Sequence, residues 1–229
     1  ELSEADRGLL SVTLKESAHL NKIIEDFLAY AKRGSLDMKK ANMCEIVKES
    51  IEMLGRGEEL PPGVRINLVT PTRPAVVSAD RALMAQVFLN LLSNAVDATD
   101  SSGRISITVD PATRANRFCS VTISDTGVGI PQEQLSRVFE PFFTMKKDGV
   151  GIGLCIVEKI VREHSGHIDI FSEEGKGTSV TVVIPKDQAV GDAGLSAARL
   201  RQAGDAFRQH EKDGRETLHC GLRNAGREL

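Results

Sequence analysis

Asn90, Asn94 and Asp97 fall at spacings of four and three in the stretch NLLSNAVDA, so a helix presents all three on one face. Amide and carboxylate oxygens are hard donors. They suit Mg²⁺, which keeps several waters and shares phosphate oxygens. Further along, ISDTGVGIP ends a strand pattern on Asp125, with Gly127 and Gly129 behind it. A carboxylate at a strand end can accept a hydrogen bond from an exocyclic amine, a donor that adenine offers and guanine does not. The glycines let the backbone approach a flat base. VFEPFFTMK sets Phe139, Phe142 and Phe143 around Pro141 and ends on Lys146, with Lys147 next, cations able to neutralise a terminal phosphate. GVGIGL places Gly149, Gly151 and Gly153 at the entry to an amphipathic run, where backbone N–H groups and the helix dipole face a phosphate chain. The four stretches together describe a pocket for a magnesium nucleotide.

Each stretch alone has an ordinary structural reading. Asn90, Asn94 and Asp97 could be surface polar residues on an amphipathic helix. D-x-G is a common turn, and the glycines could serve helix–sheet packing. The Lys pair could be solvated, and for Phe139 a place in the core is the better reading. Four such signals in order within one domain-sized stretch reverse the balance for the rest. The Walker pattern GxxxxGK[ST] is absent, and no strand leads directly into GVGIGL with a ribose-binding acid beyond it, which sets aside the dinucleotide motif.

The elements that must hold these residues are legible from periodicity. Apolar residues at threes and fours predict a helix over 1–33, closed by Lys32 and Arg33 before Gly34. Its stripe needs a partner helix or another subunit. A second amphipathic helix is expected over 42–54, then a turn region over 55–63. Short strands are expected at 65–70 and 75–78. Asp80 is a helix N-cap, and the helix to residue 98 turns Leu83, Val87, Leu91 and Val96 inward. Strands are expected at 105–109 and 120–124, a glycine-led helix over 149–165, and a hairpin of 167–171 with 178–184 through EEGKG. Hairpins dominate, which argues an α+β class: a two-layer sandwich with a mixed, largely antiparallel sheet and helices on one face. Residues 187–229 are rich in Gly, Ala, Arg and Asp with thinly spread apolar residues, and read as a tail or linker, more disordered than folded.

Composition excludes several classes. The net charge of −3 and the lack of Trp, with a single Tyr, argue against direct nucleic acid binding. Cys44, Cys119, Cys155 and Cys220 match no zinc spacing and read as buried thiols of a cytoplasmic protein. No apolar run reaches the length of a membrane span. The chain enters at Glu1 in the middle of a helical pattern and reads as a piece of a longer protein, which leaves an upstream membrane anchor open.

The four signals resemble the N box, first glycine box, F box and second glycine box of bacterial sensor histidine kinases, over about residues 40–186. Their ATP-binding domain has the Bergerat-type fold shared with gyrase B, Hsp90 and MutL. The compact EPFFTMKKDGVGIGL looks most like the nitrogen-regulation type, and HLNKIIEDFLAYAK looks like the second helix of the family's dimerisation hairpin. The resemblance implies ATP and Mg²⁺ as cofactors, a homodimer through the N-terminal helix, and the receiver domain of a response regulator as partner. It implies that Asn94 ligates Mg²⁺, that Asn90 lies beside the phosphates and that Asp97 is among the nucleotide contacts. Asp125 would bind the adenine amine, Gly127 and Gly129 would line the base pocket, and Ile130 would be a further nucleotide contact. Lys146 would reach the γ-phosphate and Gly149, Gly151 and Gly153 would cradle the phosphate chain. Phe142, Phe143, Thr144, Val150, Ile152, Leu154 and Thr178 complete the implied contacts. The hydrolysing relatives carry Glu where Asn90 stands; an amide is a poor base, which favours holding ATP for another nucleophile.

One departure matters. The family's phosphoaccepting His lies in a box of the form H-E, a basic residue, Pro-Leu, and this chain has none. His19 is followed by Leu and Asn in the wrong helix, and His164 and His167 flank Gly166 at a helix-to-strand turn, where a structural role is expected. Two rivals therefore stand beside the kinase: an ATP-hydrolysing conformational machine of the gyrase kind, and a nucleotide-binding interaction module.

Overall fold

A computed structural model describes residues 3, 6, 8–10, 13, 17, 35–57, 61–112, 117–146 and 149–187. The helix expected over 1–33 is touched only at isolated positions. His19, Cys220 and all but the first residue of the tail expected over 187–229 lie outside the described residues. The elements run β1 (Lys39–Asn42), α1 (Met43–Gly57), β2 (Arg65–Val69), β3 (Val76–Ala79), α2 (Arg81–Ala98), β4 (Arg104–Asp110), β5 (Phe118–Asp125), α3 (Gly153–Glu163), β6 (His167–Glu173) and β7 (Gly177–Pro185).

Five strands form one sheet in the order β2-β4-β5-β7-β6. Only β2 and β4 are parallel; the other neighbours are antiparallel. Period-two patterning decides the faces. Ile105, Ile107 and Val109 of β4, Cys119, Val121 and Ile123 of β5, and Val182 and Ile184 of β7 are buried on the side covered by helices. Hydroxyls dominate the opposite face, where Thr122 pairs with Thr181 at 3.0 Å and Ser124 with Ser179 at 2.9 Å. The helical layer packs α2 against both α1 and α3, with α2 on β5 and α3 on β6 and β7. The expected two-layer α+β sandwich is the observed architecture.

The caps explain where α2 sits. Asp80 Oδ1 accepts from the N–H groups of Ala82 and Leu83, and Oδ2 accepts from Asp37 N–H at 3.0 Å. The Asp80 N–H donates in turn to His164 Nε2 at 2.9 Å, and His164 Nδ1 lies 2.7 Å from the Ile160 carbonyl. Since Nε2 accepts, Nδ1 carries the proton. His164, fully buried, thus struts the start of α2 against the end of α3, the structural role expected of it. His167 lies 3.2 Å from Asp169 on the outer sheet face. Cys44, Cys119 and Cys155 are buried, and burial pushes the Cys119 thiol up to about 12, so it stays protonated and inert.

Most element boundaries differ from expectation by a residue or two, and three differences are larger. α1 continues through Gly55 to Gly57, so the turn region begins later. Strand β1 was not anticipated. It pairs antiparallel with β3, and only Ala41 of its four residues is buried, so KKAN carries little apolar signal. The glycine-led helix starts at Gly153, not at residue 149. Gly151 stands at φ +72°, outside the helical range, and its carbonyl accepts from Phe142 N–H at 2.9 Å. Gly149 and Gly151 therefore belong to a loop that approaches α3.

Candidate functional site

A cavity of about 740 Å³ opens between α2, the loop after β5, the loop before α3, and the sheet. One cross-strand row, Ile123–Val180–Ile170, lines it from β5, β7 and β6. Helix α2 buries Met84, Val87, Phe88, Leu91, Leu92, Ala95 and Val96 in the core. Asn90, Asn94 and Asp97 then fall on the flank that lines the cavity.

Asp125 ends β5. Its Oδ1 accepts from the N–H groups of Gly127 at 2.8 Å and Thr178 at 3.2 Å. Both of these bonds fall on Oδ1, and the side chain lines the cavity. Burial holds the Asp125 carboxyl above its ordinary value, against the backbone N–H groups of Gly127, Thr178 and Asp125 itself, which pull it down. The loop beyond it is tied to the end of α2, where Val128 N–H donates to the Ala98 carbonyl, and to the β6–β7 hairpin, where Gly175 N–H donates to the Val128 carbonyl and Ile130 N–H to Ser172 Oγ at 2.8 Å. Gly129, at φ +69°, packs its Cα against the Glu173 carbonyl, so a side chain there has neither the conformation nor the room.

The wall opposite Asp125 combines the start of α3 with the loops around it. Asn90 Nδ2 is buried with no hydrogen-bond partner among the described residues, and a Cβ on Gly153 would lie 4.0 Å from Asn90 Cγ. An orphaned amide donor at the N-terminus of a helix suits an anion's oxygen. Lys146 Nζ donates to Asn94 Oδ1 at 2.7 Å and to Asp97 Oδ2 at 2.5 Å. An ammonium is held there by two hard oxygens, so the donor set fits a hard cation. Among the described residues no three His, Cys, Asp or Glu side chains gather as a metal cage. The Arg137 guanidinium stacks 4.6 Å from the centroid of Phe143, which lines the cavity.

Most of the residues singled out from the sequence converge here: Asn90, Asn94, Asp97, Asp125, Gly129, Ile130, Phe143, Thr144, Lys146, Gly149, Val150, Gly151, Ile152, Gly153, Leu154 and Thr178 all line the cavity. Two do not. Gly127 turns its Cα onto the Ala98 carbonyl and contributes a backbone N–H to Asp125 instead. Phe142 sits at φ +68° and is 65% exposed to solvent, so Phe143 alone of the pair walls the cavity. Phe139 packs against the core, as its ordinary reading required. Lys147 lies outside the described residues. Ser93, Ala95, Ala98, Val128, Val138, Met145 and the Ile123–Val180–Ile170 row also line the cavity without a motif to announce them; the row depends on strand register, which no local pattern prints.

Residues 79–188 match the family of histidine kinase-, DNA gyrase B- and HSP90-like ATPases. The solved catalytic domain of histidine kinase ThkA is 30% identical, with a TM-score of 0.59, and the match covers 66% of this chain and 97% of that one. The chain belongs to the histidine kinase family. Sensor histidine kinase ZraS of Salmonella typhi is 31% identical over 177 residues, which is 77% of this chain but 37% of that protein, so the chain spans little more than a third of this relative's length. ThkA has also been solved in complex with the response regulator protein TrrA; there the identity is 27%, the TM-score 0.65, and the coverage 81% of this chain and 53% of that one. These relatives are histidine kinases, so the gyrase-like hydrolysing machine is not the favoured reading. Among the described residues no helix is long and apolar enough to cross a membrane.

Proposed function

We propose that this domain binds MgATP and presents its γ-phosphoryl group to a histidine carried on a helix outside this sequence, for relay to an aspartate of a response regulator. The observation that carries this reading is the convergence, in one cavity, of the Asp125 carboxylate, the Asn90 and Asn94 amides, the Lys146 ammonium and the Gly149–Gly153 loop. Asp125 Oδ2 receives the adenine amine. Asn94 Oδ1, with Asp97 beside it, holds the Mg²⁺, which when bound neutralises charge on the phosphate oxygens. Asn90 Nδ2 and the N–H groups entering α3 take phosphate oxygens. Lys146 turns from Asn94 and Asp97 to the γ-phosphate as the nucleotide arrives.

The acceptor imidazole attacks phosphorus in line through a ring nitrogen lone pair. The bond from phosphorus to the β–γ bridging oxygen breaks, ADP leaves with that electron pair, and a phosphoramidate remains. No carboxylate stands at position 90 to activate water, so the chain's own contribution is positioning and charge neutralisation. Leu9 and Leu10 are 74% and 52% exposed, an apolar pair open to solvent that supports a homodimer through the N-terminal segment. The complex of ThkA with its response regulator supports the same class of partner here.

The test supplies the missing helix in trans. The chain is incubated with γ-labelled MgATP and a separate dimerisation hairpin carrying an H-E box. Acid-labile, base-stable label on the hairpin is expected. Label that stays on ATP while the chain binds it favours the interaction module, and rapid release of free phosphate without transfer favours the hydrolase.

A further inference from the structure

We infer that Ser172 is a positioning residue that fixes the hydrogen-bond polarity of the base end of the cavity, so that the site accepts a 6-amino purine and turns away a 6-oxo purine. The inference rests on the nucleotide reading above and assigns its specificity to a residue that does not line the cavity. Ser172 is 4% exposed, in β6. A hydroxyl has one proton and two lone pairs. Ser172 Oγ donates to the Gly177 carbonyl at 2.9 Å, and a carbonyl can only accept. It accepts from Ile130 N–H at 2.8 Å. Its third contact is Thr178 Oγ1 at 2.9 Å. Because the Ser172 proton is on the carbonyl, the proton in that third contact comes from Thr178. Both Ser172 lone pairs are then filled and its bonding is complete.

Thr178 has consequently no proton left for the cavity that it lines, and its Oγ1 offers lone pairs only. The neighbouring Asp125 has Oδ1 occupied by two backbone N–H groups, and as a carboxylate it can only accept through Oδ2. Both polar side chains at this end are therefore acceptors. A 6-amino group brings two N–H donors and satisfies them. A 6-oxo group brings lone pairs against lone pairs. If Ser172 loses its oxygen, the Thr178 hydroxyl is free to rotate and donate to a 6-oxo group.

The test measures affinities of MgATP and of magnesium inosine triphosphate for the full chain by calorimetry. Wild type is expected to favour ATP. Ser172→Ala should lower the ATP-to-inosine-triphosphate affinity ratio about tenfold, the scale of one reversed hydrogen bond. A merely structural role would weaken both nucleotides together and leave the ratio alone. Thr178→Val should lower the ratio similarly, and Ser172→Ala added to Thr178→Val should lower it no further. An unchanged ratio in Ser172→Ala overturns the inference, and if that variant does not fold, an unchanged ratio in Thr178→Val overturns it. Wild type that binds neither nucleotide removes the nucleotide reading and this inference with it; wild type that prefers ATP while Ser172→Ala keeps the full preference removes this inference alone.

Discussion

Replacing Asp125 by Asn changes one atom and reverses one hydrogen bond. The backbone decides which way the amide sits. Two N–H groups, from Gly127 and Thr178, converge on Oδ1, so the amide oxygen must take that place and the NH₂ must take the place of Oδ2. A donor then faces the donor of the adenine amine. The loss is one hydrogen bond to a charged group, about 1.5–3 kcal/mol, which is roughly tenfold to a hundredfold in affinity. Calorimetric titration with MgADP is expected to show that weakening, with magnesium inosine diphosphate losing much less. The same substitution should leave the free protein as stable or more so at neutral pH. Burial raises the folded pKa of Asp125 above its unfolded value, so the wild type loses stability as pH rises from the usual carboxylate range through that raised pKa. The uncharged amide has no such loss, and the difference in melting temperature between the two proteins should vanish at the acid end. An Asp125→Asn variant that binds MgADP within about twofold of wild type would refute the assignment of Asp125 to the base.

Lys146→Ala should cut phosphoryl transfer at least about tenfold while MgADP affinity changes little, since ADP lacks the γ-phosphate; the half-exposed pair with Asp97 contributes about 0–1 kcal/mol, so urea midpoints should barely move. Gly151→Ala puts a Cβ 2.5 Å from the Phe143 carbonyl at φ +72°, so the loop must shift, and MgATP affinity should fall about tenfold with secondary structure intact by circular dichroism. Asp80→Ala removes the cap of α2 and the acceptor for Asp37 N–H, and should cost about 1–2 kcal/mol in urea denaturation.

What the sequence makes legible is what lies close along the chain. Asp80 announces the start of α2 because capping is a two- or three-residue affair, and Asn90, Asn94 and Asp97 declare their shared face through helical spacing. β5 and its terminal Asp125 follow from alternation. Features set by pairing across the fold are silent. β1 is four largely exposed residues that exist as a strand because β3 lies beside them. The start of α3 depends on Gly151 meeting Phe142 and Phe143 from a separate segment. The tie from Ser172 to Ile130 and Thr178 joins three segments, and the stacking of Arg137 on Phe143 needs a turn that no periodicity predicts.

The central claim is that one magnesium-bound adenine nucleotide fills the cavity beside α2. Calorimetric titration of the chain with ATP, with Mg²⁺ and again with the metal chelated, tests it directly. One site per chain is expected, competed by ADP and weakened at least about tenfold by chelation, since Asn94 Oδ1 then loses the ion that links it to phosphate. No heat above dilution at millimolar MgATP, or binding that ignores both metal and ADP, would contradict the account.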